Sequence, residues 1–261
     1  MCTHVDNSDA EPSGLVFVPP RCTLCSPCQE FIAYGSYKGE SYLLVTGLLG
    51  PDLLKLGGQE GKHSPRNVLV LAQQALRLLQ HLHAAGFLHR DLKPENMVLG
   101  YPGTAGERTL HLIDFGTSLP LPIGLRPKPK PQAAEGSVPY MAVTVQQKQP
   151  IGKRDDVEGL VWTLLRLCLG KLPWEHDKVS FAGVLQHKMD VRSQGASGEP
   201  ACSGLAPYML KLFDGLLQHV RALDTPDSEP DFGALHKLIG AAWQSSPFAR
   251  VSPLSQAILD Y

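Results

Sequence analysis

Asp91, Asn96 and Asp114 are the side chains whose types and spacing could do chemistry. Asp91 and Asn96 lie in the string HRDLKPEN, which begins at His89, and Asp114 opens the triplet DFG. A carboxylate can accept a proton from an attacking hydroxyl, and aspartate and asparagine oxygens are ligands that Mg²⁺ accepts. The pattern therefore points to phosphoryl transfer, in which magnesium neutralises the phosphates while a carboxylate orients the hydroxyl.

Two regular elements are predicted to hold these groups in place. Ser64 followed by Pro65 is a helix start, and apolar residues then recur at helical spacing until Gly86, just before the first string. The extended run 109–113 leads into the DFG triplet as a strand. Two histidines lie near the helix end, His81 and His83. Their side chains are predicted to have hydrogen-bond partners or to be exposed at the surface, rather than to bind a metal.

Other elements follow from periodicity. Residues 31–35 and 42–46 are predicted to form the two strands of a hairpin. The Gly- and Ser-rich stretch 192–203 is predicted to be a surface loop. Three further helices are predicted, of which the first is apolar on most faces and therefore buried, at residues 153–167, 208–223 and 232–243.

Composition narrows the function classes. The chain has 261 residues, a formal net charge of -1, 43% hydrophobic residues and 19% charged residues. These values suit a globular protein with one large core and give no electrostatic attraction to nucleic acid or to an anionic membrane. No apolar run approaches the roughly 20 residues that a membrane-spanning helix needs. Neither nucleic acid nor membrane is expected as a partner.

The N-terminus has no basic start and no apolar core of a secretory signal, so a reducing intracellular setting is expected, with the six cysteines as thiols. A cytoplasmic location is predicted. The nucleus is the alternative, although the chain has no dense run of lysine and arginine.

Residues 1–29 differ from the rest of the chain. Four prolines interrupt them and no helical period is present, although residues 16–18 could make a short strand. We interpret the segment as an atypical, poorly ordered tail. The alternative is a zinc site, which is less favoured because no second pair of matching spacing exists. Its ligands would be Cys22, Cys25 and Cys28, completed by Cys2 or His4.

A proline-rich link follows the DFG triplet, with prolines at 120, 122, 127, 129 and 131 and three basic residues between them. We interpret this link as a mobile activation segment, because proline prevents both helix and sheet. A basic substrate dock or a polyproline ligand for another protein is the compatible alternative.

With these motifs laid out, the chain resembles protein kinases, and in particular the casein kinase I and vaccinia-related kinase group of serine/threonine kinases. The resemblance runs from about Glu30 to about Trp243. Lys93 is the residue type expected in serine/threonine rather than tyrosine kinases. The string GSVPY from Gly136 stands where other kinases have Ala-Pro-Glu, and later landmarks are KRDDVE from Lys153 and GKLPW from Gly170.

The resemblance implies an α+β, protein-kinase-like fold, mainly the helical C-terminal lobe with a remnant strand hairpin of the N-terminal lobe. The implied units are the N-terminal segment 1–29, a truncated kinase domain at 30–245 and a short tail at 246–261. The implied cofactors are ATP and magnesium. The implied partners are protein substrates with serine or threonine hydroxyls, together with a full-length kinase or a scaffold.

The resemblance also assigns roles to single residues. Asp91, Lys93 and Asn96 would be catalytic, and Asn96 and Asp114 would hold magnesium. Asp156 would be a buried carboxylate that braces the catalytic loop. The nucleotide would be contacted by Thr46 as gatekeeper, Leu48 and Leu49 beside the adenine, Val98 as floor, and Ile113 with Asp114.

Three departures from the family pattern bear on activity. No Gly-x-Gly-x-x-Gly precedes Glu30, no Val-Ala-Ile-Lys is present, and the first lysine is Lys38. The lysine–glutamate pair that positions the ATP phosphates therefore cannot be assigned. Pro139 stands where the casein kinase I pattern has an arginine, which puts a preference for acidic or phosphorylated substrates in doubt.

Three hypotheses follow. The first is a serine/threonine kinase whose phosphoryl transfer is impaired in this chain. The second is a non-catalytic kinase-like scaffold or interaction module. The third is a sensor that binds Mg-ATP weakly.

Overall fold

The structure is a computed structural model that describes residues 16–17, 31–37, 41–121, 135–176, 179–251, 254 and 259. Within them lie seven strands: β1 (Val16–Phe17), β2 (Phe31–Tyr37), β3 (Ser41–Thr46), β4 (Phe87–Leu88), β5 (Met97–Leu99), β6 (Leu110–Leu112) and β7 (Leu119–Pro120). The α-helices of the same residues are α1 (Leu53–Leu56), α2 (Pro65–Ala84), α3 (Val143–Gln146), α4 (Lys153–Leu169), α5 (Phe181–Gln194), α6 (Pro207–Ala222) and α7 (Phe232–Gln244).

The strands form three small antiparallel sheets. Strands β2 and β3 pair with Phe31 opposite Thr46 and Tyr37 opposite Ser41, which confirms the predicted hairpin. Strand β1 adds to the other edge of β2, so a short strand near residue 16 is also confirmed. The two smaller sheets are β4 with β7 and β5 with β6. The second of these lies between the two chemical motifs of the sequence.

Helix α2 begins where the sequence predicted. The Ser64 hydroxyl accepts a hydrogen bond from the Asn67 amide at 3.2 Å, and Pro65 occupies the first turn, where no amide hydrogen is needed. The helix ends at Ala84, and Gly86 follows with φ +85°, a conformation that glycine adopts without strain. The chain then turns directly into β4 and the HRDLKPEN string.

The core is made by four helices. Helix α2 packs against α4 and α7, and α6 packs against the same two helices. Helix α4 is buried at every position from Arg154 to Cys168, which confirms that it lies centrally. Trp162 of α4 is fully buried and meets Trp174 edge to face, with 5.2 Å between ring centroids. These helices therefore form the core on which the HRDLKPEN string lies.

Helix α5 was not predicted from the sequence. Its buried positions are Val184, Lys188 and Val191, which share one helical face, but a lysine in the middle hides the apolar stripe. The surface loop predicted at 192–203 is correct only in part: most of its residues after α5 are exposed, but its start belongs to α5, and Ala196 and Cys202 are fully buried in two 3₁₀ turns.

Several predictions fall on residues outside the described ranges. These are the zinc hypothesis, the rest of the N-terminal tail and most of the proline-rich link. The two described cysteines, Cys168 and Cys202, are buried thiols, as predicted. In the described ranges no helix combines the length and the apolarity needed to cross a membrane.

Candidate active site

Asp156, near the start of α4, binds the backbone of the HRDLKPEN string. Its two carboxylate oxygens accept hydrogen bonds from the backbone amides of His89 at 2.9 Å and Arg90 at 2.8 Å. The imidazole of His83, at the end of α2, adds a third contact at 2.8 Å. Burial opposes the charge of Asp156, but the His83 and amide contacts outweigh it and hold its pKa below the usual value. The predicted brace is therefore present, and the buried His83 binds Asp156 through Nε2.

Asp91 is nearly buried and surrounded by hydrogen-bond donors. It is 7% exposed, and its carboxylate contacts the Lys93 ammonium at 2.7 Å and the Ser137 amide at 2.8 Å. Asn96 donates to the Asp91 carboxylate at 3.2 Å and to its carbonyl at 2.9 Å. Burial would raise the pKa of Asp91, but the contacts from Lys93 and Ser137 hold it below the usual value. Asp91 is thus a carboxylate at neutral pH, able to accept a proton.

Ser137 is a member of the site that the sequence did not reveal. Its amide binds Asp91, and its hydroxyl accepts a hydrogen bond from Lys93 at 3.0 Å. The preceding Gly136 has φ +109°, and a Cβ there would lie 2.6 Å from the Arg90 carbonyl. Only glycine allows this close approach. The GSVPY string shows the glycine, but nothing local in it indicates which loop Ser137 meets.

A second contact joins the HRDLKPEN string to the segment that contains Ser137. The Arg90 guanidinium lies 3.0 Å from the Glu135 carboxylate. We call residues 89–96 and 135–146 together the catalytic-loop side of the site.

Asn96 and Asp114 offer the oxygen atoms that could hold a metal. Asn96 turns its amide nitrogen toward Asp91, which leaves its amide oxygen as the ligand atom. Asp114 is exposed, has φ +61°, and accepts a bond from the Gly116 amide at 3.3 Å. The Ile113 amide donates to the Asn96 carbonyl at 3.0 Å, so adjacent backbone joins the two candidate ligands. Two protein oxygens suit magnesium, which takes its remaining ligands from phosphates and water.

The segment that follows β3 lies against β5. The Gly50 amide donates to the Leu99 carbonyl at 2.8 Å, and the Leu99 amide donates to the Pro51 carbonyl at 3.2 Å. A Cβ on Gly50 would lie 2.5 Å from the Gly100 carbonyl, so this approach also requires glycine. We call residues 46–51, 97–99 and 113–116 the hinge side of the site.

The hinge side contains the residues predicted to contact a nucleotide. Val98 is buried in β5 at 5% exposure, Thr46, Leu49 and Ile113 are partly buried, and Leu48 is 75% exposed. The structure brings Asp91, Lys93 and Asn96 into direct contact, whereas no described contact joins Thr46 or Leu48 to them. The nucleotide and metal roles of these residues stay predictions.

Comparison with known proteins agrees with this arrangement. The family pattern described as Protein kinase domain matches residues 29–222, about three quarters of the chain. The chain therefore belongs to the protein kinase family.

Several similar curated proteins are named as casein kinase I homologues or as casein kinase 1-like. Casein kinase I homolog 3 of Schizosaccharomyces pombe is 28% identical over 82% of this chain and 54% of its own length. Casein kinase I homolog 1 of Saccharomyces cerevisiae is 30% identical over 82% of this chain and 40% of its own length. Casein kinase 1-like protein HD16 of Oryza sativa subsp. japonica is 34% identical over 55% of this chain and 21% of its own length. The chain spans about half or less of these relatives. The family match and the structure agree on the expected α+β kinase fold, and the chain is similar to casein kinase I homologues.

Proposed function

We propose that this chain carries the phosphoacceptor half of a serine/threonine kinase site and transfers the γ-phosphoryl group of ATP to protein hydroxyls. The observation that carries the proposal is the environment of Asp91. Its carboxylate is ionised, nearly buried, and held by Lys93, Asn96 and Ser137. Such preorganisation is what a base needs to orient a hydroxyl.

The residues present fit ATP with magnesium. The Asn96 amide oxygen and the Asp114 carboxylate are hard oxygen ligands, and backbone hydrogen bonding through Ile113 joins them. When bound, Mg-ATP supplies an activated phosphoryl group whose charge the metal neutralises. Val98 and Ile113 would contact the adenine from the small β5–β6 sheet. Leu48 and Leu49 would border it.

The chain's own residues then act on the acceptor. Asp91 would orient the serine or threonine hydroxyl and take its proton as that oxygen bonds to the γ-phosphorus and the bond to the ADP leaving group breaks. Lys93 lies 2.7 Å from the Asp91 carboxylate, so its positive charge is available to the transferring phosphoryl group. Asp156 keeps the His89 and Arg90 amides in place, which sets the direction of the Asp91 side chain.

Transfer is proposed to be slow in this chain. Loss of one electrostatic contact to a reacting group costs about 2.7–4 kcal/mol, and neither a glycine-rich loop nor a phosphate-positioning lysine can be assigned before Glu30. The same features favour the second candidate, a non-catalytic scaffold that presents the kinase surface to a full-length kinase or to its substrates. A cytoplasmic location, with the nucleus as alternative, is proposed for both.

Magnesium-dependent transfer of labelled γ-phosphate from ATP to a casein-type acceptor tests the proposal. Asp91→Asn keeps the shape of the side chain but removes the base, so we expect transfer to fall by about 10²–10⁴-fold. A matched control is Asp224→Asn, because Asp224 is exposed and its carboxylate accepts a hydrogen bond from Ser228 rather than from a residue of the site. Equal transfer by the Asp91 variant and the wild type would refute the role of Asp91. No transfer by folded wild type would favour the scaffold.

A further inference from the structure

The segment 137–146 forms one wall of the site, and its position decides where Ser137 lies. Ser137 is the point at which this segment touches Asp91 and Lys93. Within the segment, the amides of Tyr140 and Met141 donate to the Ser137 carbonyl at 3.0 Å, and the helix α3 covers only four residues. Contacts from other elements add to these local bonds and satisfy further carbonyls.

The side chain of Lys188, on α5, binds this segment. Its side chain is fully buried, and its amine donates to the carbonyls of Val138 at 2.7 Å and Met141 at 2.6 Å. A third bond goes to the side-chain oxygen of Gln146 at 3.2 Å. A lysine ammonium has three N–H donors, so these three acceptors satisfy it fully. The two carbonyls lie on either side of Pro139 and Tyr140, and both therefore fix the chain directly after Ser137.

Neighbouring groups make the buried charge tolerable. The amine lies 5.7 Å from the centroid of the Trp174 ring, and the Trp174 indole donates to the Pro139 carbonyl at 2.9 Å. Glu158 of α4 is the charged group that attracts Lys188, and it accepts a bond from the Val143 amide at 3.0 Å. Glu158 in turn pairs with Arg192 of α5 at 3.5 Å. Three buried side chains from two helices and a loop thus hold one irregular segment.

Burial has a chemical consequence for this lysine. It lowers the pKa of Lys188 to about 7, and attraction by Glu158 offsets only part of the shift. Burial also raises the pKa of Glu158, although the charges of Arg192 and Lys188 oppose that shift, whereas Gln146 of α3 and Trp174 do not titrate. Above pH 7 the amine loses one of its three donors, so one of its three acceptors loses its bond.

We propose that Lys188 is a positioning residue for the protein substrate, because it holds residues 138–141 so that Ser137 meets Asp91 and Lys93. The proposal rests on the proposed kinase function, and it assigns Lys188 to recognition of the acceptor rather than of ATP. No described contact joins Lys188 to the hinge side. Replacement of Lys188 should therefore change the KM for the protein acceptor more than the KM for ATP.

The kinetic test compares Lys188→Met, which keeps length without charge, with Lys188→Arg, which keeps a charged donor. For Lys188→Met we expect the KM for the casein-type acceptor to rise about tenfold, as loss of about 1.4 kcal/mol of positioning would give. The KM for ATP should stay within about twofold, and Lys188→Arg should recover most of the acceptor KM. An equal rise in both KM values would overturn the proposal, because a general structural defect has that effect.

Hydrogen–deuterium exchange provides a second readout that needs no activity. In Lys188→Met, amides of residues 138–146 should lose protection while those of α2 and α6 keep it. In the wild type, protection of this segment should fall as pH rises through about 7, but not in Lys188→Arg. The pH dependence of protection in the wild type tests the role of Lys188 even if Lys188→Met does not fold. A wild type that transfers no phosphate would contradict the proposed function, whereas unchanged protection at every pH would refute the role of Lys188.

Discussion

Asp91, on the catalytic-loop side, is 7% exposed and receives hydrogen bonds from Asn96 and Ser137, whereas Leu48, on the hinge side, is 75% exposed. Buried groups of three helices support the first side: His83 of α2, Asp156 of α4 and Lys188 of α5. The second side is held mainly by backbone pairing along β5 and β6. Under the proposed function, the helical lobe would preorganise the acceptor geometry, while the exposed Leu48 of the hinge side would remain accessible to a ligand.

The largest effect should follow from removal of the brace. Asp156→Ala leaves His83 and two backbone amides without their acceptor, and loss of one partner of a buried pair costs about 3–5 kcal/mol. Urea denaturation should show this loss in the free energy of unfolding. The control Asp224→Ala, at an exposed position, should change it by about 0.5 kcal/mol or less. A loss below about 1 kcal/mol for Asp156→Ala would mean that the catalytic-loop side is not preorganised by α4.

Asp114→Asn should separate activity from stability. Asparagine tolerates the left-handed backbone conformation at this position, and the side chain is exposed, so the free energy of unfolding should change by about 0.5 kcal/mol or less. Under the proposed function, transfer from Mg-ATP should nevertheless fall by about 10²–10³-fold, because a proposed charged metal ligand is lost. The measurements are urea denaturation and the phosphate-transfer assay. A large loss in the free energy of unfolding for this variant would show that the hinge side contributes as much to stability as the catalytic-loop side does.

A smaller, pH-dependent effect is expected at Asp155. Burial raises the pKa of this carboxyl to about 6, although hydrogen bonds from Thr144 and Gly152 oppose the shift. Between pH 4 and 6 the folded state therefore binds more protons than the unfolded state, so the contribution of Asp155 to stability is lost as pH rises.

The comparison with Asp155→Asn isolates this contribution. The free energy of unfolding of the wild type minus that of Asp155→Asn should fall by about 2 kcal/mol from pH 4 to pH 7, at about 1.4 kcal/mol per pKa unit, because part of the shift already lies below pH 4. Urea denaturation at several pH values gives the two curves. Parallel curves would show that the carboxyl titrates normally and that the start of α4 is more open to solvent than the structure indicates.

Much of the helical lobe could be predicted because its signals are local. The start of α2 depends on Ser64 and Pro65, within one turn of each other, and α6 and α7 show apolar faces that repeat every three or four residues. Helix α5 escaped prediction because Lys188 occupies an apolar position, and a periodicity count treats a lysine as solvent-facing. Its burial depends on acceptors in another part of the chain.

By itself, the sequence determined the family, the order of the main helices and the identity of Asp91, Lys93, Asn96 and Asp114 as candidate site residues. Each of these depends on residue types at short spacing. The tertiary structure alone decided that Ser137 meets Asp91 across 46 positions, that Lys188 reaches Val138 across 50, and that His83 pairs with Asp156 across 73. Such partners meet only when packed helices exclude water, and once water is excluded a polar group must find a partner wherever the fold brings one.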